Sequence, residues 1–252
     1  ISVDIVIATC ETDVLPAAEL REKLGISGQK PDNAIPFRDK IEMKTLALSK
    51  GFATPYFSSV KTVSDVVMFA SKYGYPVIVK PVDSVGSLGL RKISSANELE
   101  GLEQLLQDPE HAPFMVESWI DGELYHFDGF VMDGAQPVLW PSKYSVGCYD
   151  FAVEQKPFLD ALLTEFPEGH REYALKLLEA FTTRNTTFHA EYFVERKTGR
   201  LVLCEIASRT GGDLNSEIWK RTFGLPLDDI FYLLQAGLGL EQLRAQASVF
   251  QK

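Results

Sequence analysis

Apolar and polar positions repeat with two different periods along this chain, and the changes of period mark its elements. The opening ISVDIVIAT alternates like a strand already under way, so the chain reads as a piece that further sequence precedes. Helical spacing follows in DVLPAAELREKLGI, ended by Gly25, and again in RDKIEMKTLALSKG, where Ile41, Thr45 and Leu48 recur before Gly51. A compact unit comes next: SVKTVSDVVMFASKYG as a helix, YPVIVKP as a strand, DSVGSLGLRKI as a glycine-containing loop running into a strand, SANELEGLEQLLQD as a helix and FMVESWI as a strand. That order predicts a βαβ-type unit. Leu99, Leu102, Leu105 and Leu106 fall on one stripe, so their helix covers a sheet. The remainder predicts a larger unit with strands in YHFDGFVMDG and QPVLWPSKY, a helix in HREYALKLLEAFT, a hairpin, and terminal helices from Ser216 to Leu234 and from Leu240 onward. No Ser- or Pro-rich tether separates the two units, so the expected fold class is α+β with two subdomains packed together.

The hairpin, HAEYFVERKTGRLVLCEIASRTGGD, carries an acid deep in each arm. A two-residue loop at Thr198-Gly199 would mix charge and apolar surface on both faces. A three-residue loop, Lys197 to Gly199, pairs Glu191 with Glu205, Phe193 with Leu203 and Glu195 with Leu201, with glycine at the position that tolerates positive φ. The opposite face then reads Ala190, Tyr192, Val194 against Val202, Cys204, Ile206, apolar throughout. Two carboxylates directly opposed across a strand pair repel, so a divalent metal between them is the natural complement.

Composition narrows the function classes. At 252 residues, 45% hydrophobic and 24% charged, the chain is an ordinary globular protein. A formal charge of −10 argues against nucleic acid as the main partner. Cys10, Cys148 and Cys204 are widely spaced with no C-x-x-C, which supports neither a disulfide framework nor a zinc site and suits a reducing cytoplasm. No apolar run reaches membrane-spanning length, so no membrane partner is expected.

Several residues stand out chemically. Lys80 ends the β-branched run YPVIVKP, where a buried lysine needs an anionic partner. The following DSVGSLGL offers backbone N–H groups and the hydroxyls of Ser84 and Ser87 to a phosphate chain, yet it is neither a P-loop nor a Rossmann fingerprint. Arg38, Lys40 and Lys44 cluster at a helix start, where anions are favoured. Glu117 closes a strand, and Arg209 stands four residues after Glu205 beside a glycine pair.

In this order the pieces resemble the ATP-grasp superfamily, and within it the ATP-dependent carboxylate–amine ligases. The resemblance runs from about Asp4 to about Gly239. It implies the ATP-grasp fold, two α+β subdomains clasping ATP: a remnant of a preceding domain in 1–35, a linking helix and strand in 36–61, a small lid subdomain in 62–120 and a larger one in 121–252. It implies that Lys40 and Lys80 bind ATP phosphates under the Ser84/Ser87 loop, that Glu117, Trp119 and Ile120 hold adenine, that Glu191 and Glu205 hold Mg2+ (or Mn2+), and that Arg209 faces the reacting phosphate. The substrates would be a small carboxylate and an amine, and the resemblance leaves room for a homodimer. Two positions depart from the family. Ala207 replaces a metal-binding asparagine, for which Asp213 or Asn215 would compensate. Leu124 replaces a ribose-binding glutamate, leaving His126 or Asp128 as substitutes. A nucleotide-binding module without ligase activity is the alternative; a bicarbonate-using carboxylase is disfavoured because DSVGSLG lacks the longer glycine-rich lid.

Overall fold

A computed structural model describes residues 2–86, 88–109, 113–133, 135–182, 184–212, 214–237 and 241. Two antiparallel sheets carry the fold. The first is ordered β1-β4-β2-β3, with β1 at Phe57–Val60, β2 at Val77–Pro81, β3 at Arg91–Ile93 and β4 at Phe114–Ser118. β1 and β2 point the same way, but β4 lies between them and antiparallel to both, so the expected βαβ unit is a split one. Its crossover helix, Val63–Tyr73, starts at a capping box in which Thr62 and Asp65 satisfy each other's backbone N–H groups. Period-two alternation then sorts the sheet's side chains. Val77, Val79, Phe114 and Val116 join Val66, Phe69 and Leu102 in one core. Ile78, Lys80, Met115 and Glu117 are left on the opposite face.

The helix expected over SANELEGLEQLLQD is broken into a 3-10 turn at Ala96–Glu98 and a short helix at Leu102–Leu106, because Gly101 takes φ 72°. The leucine stripe survives: Leu102 and Leu106 are buried in the core, with Leu99 and Leu105 packed against it.

The second sheet is ordered β7-β6-β5-β8-β9, with β5 at Gly122–Val131, β6 at Val138–Tyr144, β7 at Asp160–Leu162, β8 at Thr186–Glu195 and β9 at Leu201–Ala207. Phe127, Ala190, Tyr192, Leu203 and Ile206 pack against Met43 and Ala47 of the helix Lys40–Ser49, and against Ala174, Leu177 and Leu178 of the helix His170–Ala180. The helices Asn215–Phe223 and Leu227–Ala236 bury Trp219, Leu227, Ile230 and Leu234 with Phe130 and Val138. The expected single helix to Leu234 is thus interrupted, by Gly224 in the left-handed region and Pro226. A helix from Leu240 onward falls outside the described residues, Glu241 apart.

Residues 2–9 form no strand, contrary to the alternating pattern, since no described strand pairs with them. They are pinned otherwise. Arg21 donates from Nε and Nη2 to the Val6 carbonyl at 3.0 and 2.7 Å, and the Ala8 N–H donates to Gln235 at 2.9 Å. No described helix is long and apolar enough to cross a membrane.

Candidate active site

Glu191 and Glu205 pair directly across β8 and β9, flanked by Ala190↔Ile206 and His189↔Ala207. Nearer the turn the register is one residue different from the expected one: Tyr192 meets Leu203, Phe193 meets Val202 and Val194 meets Leu201. The turn holds four residues, Arg196 to Gly199, closed by Glu195 N–H to Arg200 O at 3.0 Å, with Gly199 at φ 71°. Left uncorrected, that register would set Glu191 opposite Cys204 and turn Glu205 to the other face. A β-bulge at Cys204 absorbs the extra residue, so Leu203 takes the core place expected of Cys204 and Glu205 returns to the face of Glu191.

On that face β5 sets His126 opposite Glu191 and Asp128 opposite His189. A chain of contacts results. Asp160 meets His126 Nε2 at 2.8 Å, His126 Nδ1 meets Asp128 at 2.6 Å, Asp128 meets His189 Nδ1 at 2.8 Å, and His189 Nε2 reaches Glu191 Oε1 at 3.3 Å. His126 is fully buried and stacked on Tyr144. Both its ring nitrogens are taken, so the expectation that it meets a ribose is corrected: Asp128 and Asp160 hold it inside the sheet. Asp128, engaged by both imidazoles, is likewise no ribose ligand. Burial disfavours a charged His189, but Asp128 and then Glu191 outweigh it and raise its pKa to about 10.

The cations come from two elements. Asp39 caps the helix Lys40–Ser49 by accepting from the N–H groups of Ile41 and Glu42 at 2.8 and 3.0 Å, which sets Lys40 and Lys44 one turn apart on one side. Lys40 Nζ stands 3.5 Å from Glu205 and donates to the Ser84 carbonyl at 2.6 Å. Lys44, wholly buried, donates to the Cys204 carbonyl at 2.9 Å and approaches Glu117 Oε2 at 3.2 Å. Lys80 bonds Glu117 Oε1 at 2.6 Å. The anionic partner that the sequence required of Lys80 is therefore Glu117, on the neighbouring strand of the same sheet face.

Electrostatics keep Glu117, Glu205 and Lys80 charged. Burial opposes ionisation of Glu117, yet Lys44 and Lys80 hold its pKa below the ordinary value. Glu205 is likewise desolvated, but Lys40, then Lys80 and Arg209, bring it down to about 2. Glu117 in turn keeps Lys80 firmly protonated against its burial. Arg209 gives Nε to Glu11 at 2.6 Å and Nη1 to the Thr210 carbonyl at 2.7 Å.

Of the residues expected to hold adenine, Trp119 lies half-exposed under Lys92, whose Nζ is 3.9 Å from the ring centre, with Ile120 beside it. Tyr149 meets Trp119 edge-on at 6.0 Å. Ser84 turns its carbonyl to Lys40; Ser87 and Asp213 lie outside the described residues. Asn215 is buried and donates to the Gly212 carbonyl at 3.1 Å, on the side of Gly211 that also faces Asp128 and His189.

Glu191 and Glu205 suit a hard divalent cation. Both are held ionised although Glu205 adds to the cost of charging Glu191, and neither Glu191 Oε2 nor Glu205 Oε1 makes a hydrogen bond among the described residues. Ala207 adds no donor. The ligand atoms of His126, Asp128 and His189 also lie within 4.8 Å of one another, but the hydrogen bonds among them account for that grouping.

Sequence reasoning missed two contributors, and for Lys44, placed in the basic cluster at the helix start, it missed the partner Glu117. His189 had a signal, its period-two spacing from Glu191. Glu11 had none, because its partners are distant in sequence.

Comparison with known proteins gives the family and the fold. The ATP-grasp domain family model matches residues 73–217. The L-arginine-specific L-amino acid ligase of Bacillus subtilis is 28% identical over 236 residues, covering 89% of this chain and 55% of that protein. A D-alanine–D-alanine ligase of Pseudomonas fluorescens is 32% identical over 84 residues, 33% of this chain and 26% of its own length. Among solved structures, the L-amino acid ligase from Bacillus licheniformis superposes with a TM-score of 0.70 at 20% identity, over 92% of this chain and 55% of that one. An N5-carboxyaminoimidazole synthetase from Staphylococcus aureus, complexed with ADP, gives 0.68 at 16% identity over 89% and 58%. The chain thus spans about half the length of these two ligases.

Proposed function

This chain belongs to the ATP-grasp family, and we propose that it forms the nucleotide-clasping part of an ADP-forming ligase joining a small carboxylate to an amine. One observation carries the reading: two opposed, ionised carboxylates lie within electrostatic reach of Lys40, Lys80 and Arg209. Such a grouping suits a polyphosphate accompanied by a divalent cation, and acyl-phosphate chemistry asks for charge placement more than for a protein nucleophile.

In this reading Lys40 and Lys80 hold ATP phosphates, with the loop from Asp83 to Gly89 over them. Glu117, which also orients Lys80 and Lys44, borders the base with Trp119 and Ile120. Glu191 and Glu205 would hold Mg2+, which supplies charge neutralisation between phosphates when bound. A substrate carboxylate oxygen attacks the γ-phosphorus, the bond to the ADP oxygen breaks, and an acyl phosphate forms. Lys40, Lys80 and Arg209 offset the charge gathering on the transferring group. The amine then attacks the acyl carbon, and inorganic phosphate departs carrying the carboxylate oxygen and the proton that the amine loses. The side chains named hold and orient; none becomes covalently attached.

Ala207 favours a second reading, a module that binds nucleotide without ligation, because it removes a donor beside the acid pair. The test is phosphate release by the full-length protein across a matrix of amino acids and amines with Mg-ATP. Release is expected for a subset of pairs and only when both members are present. ATP binding with no release for any pair would favour the module.

A further inference from the structure

Glu11 lies outside every motif in the sequence, 198 residues before Arg209, yet it is buried between two guanidinium groups. Its Oε2 accepts from Nε of Arg209 at 2.6 Å and from Nη2 of the same residue, the side-on edge of the fork. Its Oε1 accepts from Arg38 Nη1 at 2.5 Å. Arg38 in turn donates from Nη2 to the Asp83 carbonyl at 2.5 Å, at the base of the Ser/Gly loop. One carboxylate therefore spans from the arginine beside the paired acids to the root of the loop.

The donor count gives this arrangement a direction. A guanidinium has five N–H donors. Glu11 takes two of those on Arg209 and the Thr210 carbonyl takes a third, which leaves one on each terminal nitrogen. Side-on anchoring fixes the plane of the fork and keeps its far edge for another anion. Burying a carboxylate with two arginines is a costly way to hold elements together, since apolar contacts do that without desolvating charge. What the carboxylate adds is orientation.

We propose that Glu11 is a positioning residue for Arg209, holding the guanidinium so that its two remaining N–H groups face the reacting phosphoryl group, and tying that orientation through Arg38 to the base of the loop. What Arg209 faces rests on the ligase reading; what holds Arg209 does not. The test uses Glu11→Gln, which keeps the shape but loses the charge, and Glu11→Asp, which keeps the charge but is one methylene short, both in the full-length protein. Two readouts are taken: the rate at which phenylglyoxal modifies Arg209, followed by peptide mass spectrometry, and kcat and KM for ATP with an acid–amine pair that the wild type turns over.

In Glu11→Gln, Arg209 modification is expected to rise several-fold and kcat to fall about tenfold to hundredfold, as for a misplaced catalytic group, with KM for ATP little changed. Glu11→Asp recovers part of kcat, and Glu11→Gln adds no further loss in an Arg209→Ala background. Unchanged Arg209 modification, or losses that multiply in the double variant, would overturn the proposal. Should Glu11→Gln not fold, Glu11→Asp decides by the same modification rate. If the wild type turns over no pair, that failure belongs to the ligase reading, and the modification rate still decides whether Glu11 holds Arg209.

Discussion

Lys80 is buried with Glu117 as its direct partner, so its removal leaves a desolvated carboxylate sharing Lys44 alone. Breaking a buried pair in this way costs about 3–5 kcal/mol. Lys80→Met should therefore lower both Mg-ATP affinity and unfolding free energy, whereas Lys92→Met, which loses a contact with the half-exposed Trp119 ring, should leave stability nearly unchanged. Denaturant titration together with calorimetric ATP binding separates the two; equal effects would contradict the clamp. Glu117 also makes stability depend on acid. Its folded pKa is held below the ordinary 4.5 by Lys44 and Lys80, so its contribution is fully present above that value and is lost as pH falls through the folded pKa. Glu117→Gln should flatten the decline of unfolding free energy as pH falls below the ordinary 4.5. Much of this was legible residue by residue: a lysine ending a β-branched run demands an anion. That the anion is Glu117 was not, because Glu117 in isolation reads as a surface acid and its neighbour across the sheet is set by the β2–β4 pairing.

At the scale of elements, the hairpin shows why a correct conclusion can follow from a partly wrong register. The requirement that Glu191 and Glu205 share a face was sound, but the turn is one residue longer than expected and the bulge at Cys204 restores the pairing. Pattern alone cannot separate a three-residue turn from a four-residue turn plus a bulge, since both keep the acids together. The broken leucine helix and the unpaired opening segment failed for other physical reasons: Gly101 takes a left-handed conformation, and an alternating sequence needs a partner strand. The glycine pair after Arg209 can be tested directly. A Cβ on Gly211 would lie 2.7 Å from Asn215 Nδ2, 2.7 Å from Asp128 Oδ1 and 2.8 Å from His189 Nδ1. Gly211→Ala should destabilise the protein by about 1–3 kcal/mol and weaken Mg2+ binding by disturbing the contacts behind Glu191, whereas Gly212→Ala, whose Cβ meets nothing within 4 Å, should do neither. The loop from Asp83 to Gly89 is expected to slow its amide exchange on adding Mg-ATP, while the core strands β2 and β4 do not change; unaltered exchange in the loop would count against its closing over phosphate.

For the molecule as a whole, the two sheets meet through the helix Lys40–Ser49, whose Lys44 joins Glu117 of the first sheet to the Cys204 carbonyl of the second. The family and the α+β class could be read from the ordered motifs, because each motif is local. The network joining Glu11, Arg38 and Arg209 could not, because it is built from contacts that only folding brings together. The central claim is that a carboxylate is activated on its way to an amide, and the fate of one oxygen atom tests it. With the acid labelled by 18O in its carboxylate, the full-length protein, Mg-ATP and an accepted amine, the released inorganic phosphate should carry one labelled oxygen by mass spectrometry, and Arg209→Ala should slow its appearance by about 10²–10³-fold. Phosphate released without label would mean that water, not the carboxylate, attacks ATP; label in AMP would mean activation at the α-phosphate. Either result would contradict the acyl-phosphate mechanism.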